Sequence, residues 1–240
     1  RRLTAARGTD PQALLHFYHR NIARKWLLLI PVVLIMTIPP RVGPHSLGIA
    51  WPHGETYLAW QFFIEITVVI AATSLLYRRM SRRGEHIPGL RAFQMLIPQS
   101  RTERQWAYAV AATAGITEEV LFRGLILNAG IWAGLPIVAA LLVSSVLFGA
   151  THIYQGTMGV ILTTAFGLLL GWFYLATLSL LMPVVLHILL DLRGLVWIRP
   201  APSEAPPAHA LSVPPDAPTP QASAEDAHPR PLVRKPFPTE

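Results

Sequence analysis

The 240-residue chain has no cysteine. That absence excludes a disulfide framework, a thiolate nucleophile, a zinc–thiolate site and a redox pair. Charge is also scarce, at 14% of residues against about 25% in average soluble domains. Lysine is nearly missing: beside 18 arginines stand only Lys25 and Lys235, a bias we attribute to genome composition. What fills the chain is apolar, with 52% hydrophobic residues and a mean hydropathy of +0.41. These values point to a membrane protein and away from a soluble enzyme. A net charge of +7 would suggest nucleic acid in a soluble chain. In a membrane chain it reports arginine-rich loops facing the cytoplasm, so no nucleic-acid partner is expected. The chain begins at Arg1 rather than Met, as a trimmed chain would.

The charge is unevenly placed. Residues 1–25 hold Arg1, Arg2, Arg7, Arg20, Arg24 and Lys25, and residues 78–104 hold seven more arginines. Between Gln105 and Ile198 only five residues are charged: Glu118, Glu119, Arg123, Asp191 and Arg193. From Pro200 onward the chain is rich in Pro, Ala and Ser and carries 12 of the 22 prolines, which reads as a disordered or polyproline tail. Crossing about 30 Å of hydrocarbon takes roughly 20 apolar residues. Segments 57–77, 106–131, 135–154, 157–176 and 178–198 qualify. Segment 26–38 is shorter and contains Pro31; it is read as a first span that recruits flanking residues, tilts or is partly interfacial.

The expected fold class is all-α: a polytopic transmembrane bundle of about six helices with a disordered Pro-rich C-terminal tail. Its regions are 1–104, with two spans and basic cytoplasmic segments; 105–198, a four-helix core; and 199–240, the tail. Six spans put both termini on one side, and the basic segments make that side cytoplasmic. Short turns after 131, 154 and 176 make the last four helices antiparallel sequential neighbours.

An ionisable residue inside a bilayer costs about 2.5–3.5 kcal/mol on insertion scales, so the few that remain ask for a role. Glu119 and Arg123 are i,i+4 and can pair, while Glu118 points about 100° away, toward another helix. Phe148 with His152, and His187 with Asp191, repeat the i,i+4 spacing. Two carboxylates and two histidines on neighbouring helices suit hydrolysis. A carboxylate in a low-dielectric site holds a proton more readily, which fits it to take one from water. One histidine can position that water and the other can donate to a developing oxyanion. Arg123 can keep Glu119 ionised, so that the two carboxylates differ in role. Glu65 has no basic i±4 partner and is read as a polar residue facing the bundle. His16, His19, His45, His53 and His86 receive no role. Gly167 and Gly171 form a G-x-x-x-G, a close-packing device.

These residues resemble the CPBP family of intramembrane endopeptidases, the CAAX-protease-and-bacteriocin-processing or Abi family. Its Glu-Glu-x-x-x-Arg motif is matched by Glu118-Glu119-Val120-Leu121-Phe122-Arg123, its Phe-x-x-x-His motif by Phe148 to His152, and its third motif by His187 to Asp191. The run Phe166 to Trp172 also looks like the family's intervening helix, and the resemblance covers roughly residues 106–195. It implies a multi-pass peptidase of the bacterial cytoplasmic membrane that cleaves a membrane-associated, prenylated or leader-type peptide substrate. In the family's terms Glu118 activates water, His152 positions it, His187 and Asp191 line the oxyanion side, and Glu119 and Arg123 tune the site. Asp191 stands where the eukaryotic enzymes have Asn. An ionised Asp cannot donate to an oxyanion, so Asp191 is either protonated or orients His187 instead, and the second is expected.

No cofactor is expected, but zinc stays open, because Glu118, His152 and His187 could form a three-ligand site with an open position. Against it, no His-Glu-x-x-His is present. Two rival functions also stand. One is a non-catalytic immunity or scaffold protein, against which the intact motifs argue. The other is a proton-coupled transporter, which would show repeat symmetry between its halves; none is visible.

Overall fold

The structure, a computed structural model, describes residues 10, 12–37, 42–54, 56–83, 85 and 96–197, and every regular element among them is helical. All belong to one unit, Arg1–Ala201. The expected tail, 199–240, lies outside the described residues, as does His86. The elements are α1 (Ala13–Leu27), α2 (Ile30–Thr37), a short 3-10 turn (Pro44–Leu47) and α3 (Thr56–Arg82). Then comes α4 (Arg101–Glu119), which runs through a π-helical segment (Val120–Leu127) into α5 (Asn128–Trp132). The rest are α6 (Ile137–Ala150), a 3-10 turn (Ile153–Gln155), α7 (Gly156–Thr177), α8 (Leu181–Leu192) and a π turn (Arg193–Trp197). With α1–α2 and α4–α5 each taken as one, these are the six expected helices.

Local chemistry sets the boundaries. The long α4 run opens on a capping box: Glu103 N–H donates to Ser100 Oγ at 3.0 Å, and Ser100 N–H donates back to Glu103 Oε2 at 3.3 Å, satisfying two of the orphan donors of a helix start. The first apolar run departs from expectation. In place of one span over 26–38, α1 begins at Ala13 and ends at Leu27, and a new helix starts at Ile30. Pro31 is the reason. It has no N–H to give the carbonyl four residues back, but it is tolerated in a helix's first turn. The chain therefore breaks just before it.

Packing brings the N-terminal helices onto the later ones. Leu14 and Tyr18 of α1 share a buried cluster with Ala107 and Val110 of α4. Ala59 and Ile70 of α3 pack with Leu170, Phe173, Met182 and Leu186 of α7 and α8. Among the last helices α6 lies against α7, and α8 returns to α4. That return is close: a Cβ on Gly115 would sit 3.2 Å from the Val184 carbonyl. The polypeptide turns there are short, as expected, and the one after α7 places Leu178 in the left-handed region at φ 52°.

Two helices are long and apolar enough to cross a membrane by length and composition, Thr56–Arg82 and, with its preceding turn, Ile153–Thr177; Ile137–Ala150 is apolar but shorter. Only 17% and 28% of their most apolar stretches are buried inside the protein, unlike the core helix of a water-soluble fold. Leu58, Ile64, Val68 and Val69 of α3, and Ile137, Val138 and Val146 of α6, face outward. An apolar exterior of this extent suits a lipid solvent. Glu65 does not face the bundle: it is exposed on α3 and accepts a hydrogen bond from Gln61 Nε2 at 3.1 Å. Its interior-facing neighbours on that helix, Ala59 and Ile70, leave it on the outer side.

Candidate active site

Glu118 and Glu119 end the regular part of α4, and their different directions give them different neighbours. Glu119 is fully buried. Its Oε1 accepts from Arg123 Nη1 at 2.8 Å and lies 2.7 Å from His187 Nδ1. Arg123 is as deeply buried and reaches three helices. Besides Glu119, its Nη2 donates to the Gly167 carbonyl of α7 at 2.9 Å, and its guanidinium lies 4.7 Å from the Phe148 ring centre on α6. Glycine permits that approach: a Cβ on Gly167 would be 3.2 Å from both the Phe148 and Ser145 side chains.

The π segment presents these groups. A π turn leaves carbonyls without their usual partners and often marks a functional site. Here Ser144 Oγ donates to the Phe122 carbonyl at 2.7 Å, and Asn128 Nδ2 donates to the Gly124 carbonyl at 2.8 Å.

His187 is 4% exposed and clamped edge-on between the Phe148 and Phe166 rings, with centroids 5.7 and 5.9 Å away. Its Nδ1 is committed to Glu119, and its Nε2 faces Glu118 Oε2 at 3.8 Å. That Glu118 oxygen is buried and has no hydrogen-bond partner among the described residues. His152 is half-buried just past the end of α6, with Nδ1 3.0 Å from the Phe148 carbonyl and 3.1 Å from Thr151 Oγ1. With Nδ1–H donated to the carbonyl, its Nε2 can accept. It lies within electrostatic reach of Glu118.

The i,i+4 pairs on α4, α6 and α8 thus meet in one place, with one correction. Asp191 lies half-buried one turn beyond His187, but both ring nitrogens of His187 are directed at glutamates. The orienting of His187 expected of Asp191 belongs to Glu119.

Two participants escaped the sequence reading. In the sequence Phe148 is only a motif position. It is the hub of the cluster, its ring against Phe122, His152, His187 and Arg123. Lys25 belongs in the sequence to the basic N-terminal segment, yet its Nζ donates a hydrogen bond to Glu118 Oε1. The only available signal was its being a rare lysine in an arginine-rich chain, and that does not point to Glu118. As for a metal, no three His, Asp or Glu side chains among the described residues are arranged to hold one, and a Lys25 ammonium already contacts Glu118.

Residues 101–193 match the family model described as type II CAAX prenyl endopeptidase Rce1-like. That segment is an Rce1-like domain of the CPBP family. The match spans less than half of the chain, but it contains Glu118, Glu119, Arg123, His152, His187 and Asp191. No curated protein and no solved structure matches the chain. The Rce1-like family match supports an intramembrane endopeptidase and implies a membrane-associated protein substrate. Lys25 lies outside the Rce1-like segment.

Proposed function

We propose that the chain is a glutamic intramembrane endopeptidase in which Glu118 activates water. The observation that carries this reading is the buried, unpartnered Glu118 Oε2 facing His187 Nε2 across 3.8 Å. A water hydrogen-bonded to both atoms at the usual distance of about 2.8 Å would be held between a base and an oriented imidazole. Glu118 takes a proton as the water oxygen bonds to the scissile carbonyl carbon. The carbonyl oxygen becomes an oxyanion, for which a protonated His187 is the available donor, while His152 Nε2 accepts from the water and positions it. When the intermediate collapses, the C–N bond breaks and Glu118 returns its proton to the leaving amine. Glu119 holds His187, and Arg123 holds Glu119. Asp191 lines the site one turn along α8 without a direct part.

The chemistry as drawn uses no metal; a zinc-dependent hydrolysis on Glu118, His152 and His187 is the competing mechanism. The substrate is a membrane-associated chain, either C-terminally lipidated or a leader-type peptide. The chain crosses the bilayer several times with its basic segments cytoplasmic.

The test is purified protein in detergent offered a membrane-peptide library, with products read by mass spectrometry. Glu118→Gln should lower kcat by about 10²–10⁴-fold, the usual worth of a positioned general base. Chelator should leave the parent unchanged. A parent that cleaves nothing, or a Glu118→Gln protein as active as the parent, defeats the enzyme reading and favours a scaffold. Loss of activity to chelator with recovery on added zinc defeats the metal-free mechanism.

A further inference from the structure

Of the arginines in the Rce1-like segment, which has no lysine, only Arg123 is within reach of the two adjacent buried carboxylates. Arg123 is committed to Glu119 and the Gly167 carbonyl. Arg193 lies over the Tyr77 ring at 4.8 Å. Arg101 and Arg104 are on the first turn of α4, and the 14 residues from Arg104 to Glu118 span about 21 Å of helix. Glu118 obtains its cation from elsewhere: Lys25, on α1, bonds its Oε1.

We propose that Lys25 is a positioning residue of this site, holding Glu118 ionised and fixing which oxygen faces His187. The inference rests on the hydrolase reading above. With Oε1 taken by the ammonium, only Oε2 is left to face His187 and water. The support for Lys25 is built into the fold. Helix α1 is seated on α4 by Leu14 and Tyr18 against Ala107 and Val110, and by His19 edge-on to Trp106 at 4.0 Å. Lys25 sits in its last turn, just before the break at Leu28 and Leu29. The helix C-terminus itself favours a cation there. The catalytic site is therefore not contained in the matched domain; α1 completes it.

The test uses the full chain and the best-cleaved peptide of the library. Lys25→Met keeps the length of the side chain and removes the charge. It should lower kcat roughly tenfold or more while leaving KM within about twofold, the pattern of an interaction used in the reaction and not in substrate binding. Lys25→Arg should restore part of the rate. In Glu118→Gln, Lys25→Met should add little, because the two act as a unit. A second measurement needs no turnover. An apolar carbodiimide should join Lys25 Nζ to the Glu118 carboxylate as an amide, the carbodiimide leaving as its urea, and give a cross-linked peptide by mass spectrometry. An unchanged or raised kcat in Lys25→Met, a loss confined to KM, or no Lys25–Glu118 cross-link overturns the proposal while Glu118→Gln still tests the hydrolase reading separately. A parent without cleavage activity removes the hydrolase reading and Lys25's role with it.

Discussion

Arg123 shows what a single buried charge does here. It answers Glu119, ties the Gly167 carbonyl of α7 to the site and stacks on Phe148. Truncating it leaves Glu119 buried with only His187, and breaking one side of a buried pair costs about 3–5 kcal/mol. Arg123→Met should therefore lose stability of that order in denaturant unfolding in micelles, followed by tryptophan fluorescence. Glu119→Gln combined with Arg123→Met should recover part of it, because no unpaired charge remains. A fully additive double variant would show that the pair is not coupled. The Glu119–Arg123 contact was legible because both partners lie on one helix at a fixed spacing. The Gly167 contact was not, since a backbone carbonyl carries no side-chain signature. Nor was Lys25–Glu118, whose partners stand 93 residues apart and meet only through tertiary packing.

At the level of elements, the span expected over 106–131 is helical, as its apolar content suggests, but it is not a plain α-helix. The π segment Val120–Leu127 is invisible in hydrophobic periodicity, because its eight residues are nearly all apolar. The structure holds it by side chains on other turns, Ser144 on Phe122 and Asn128 on Gly124. Ser144→Ala should leave the buried Phe122 carbonyl without its side-chain donor, at a cost of about 1–3 kcal/mol. It should also lower kcat, because Arg123 and Glu119 flank that turn. Unfolding and turnover measured on the same preparation check this. A destabilised protein with unchanged kcat would mean the π turn supports the fold and not the site. The break before Pro31 is the opposite case. Its cause is covalent and local, so the proline was legible as an irregularity even where the helix boundaries were not.

The whole molecule is best described by where its apolar residues point. The six-helix arrangement and the clustering of the three motifs follow from short turns and polar i,i+4 pairs, which a sequence displays. Which helices cross completely does not follow so directly, because Ile137–Ala150 is short and the α4 run carries charge. The absence of cysteine makes the question answerable, since any introduced thiol is the only one. Val68→Cys on α3 and Val138→Cys on α6 replace outward-facing apolar residues. In a bilayer their thiols should resist a membrane-impermeant maleimide, because the reactive thiolate does not form in hydrocarbon. Arg83→Cys replaces a residue with a largely exposed side chain beyond the basic end of α3 and should label quickly. If the basic segments are cytoplasmic, that labelling appears in inverted vesicles and not in intact spheroplasts, and all three positions label after unfolding in detergent. Rapid labelling of Val68→Cys in sealed membranes would mean that α3 presents this face to water, and the bilayer placement of that helix would have to be abandoned.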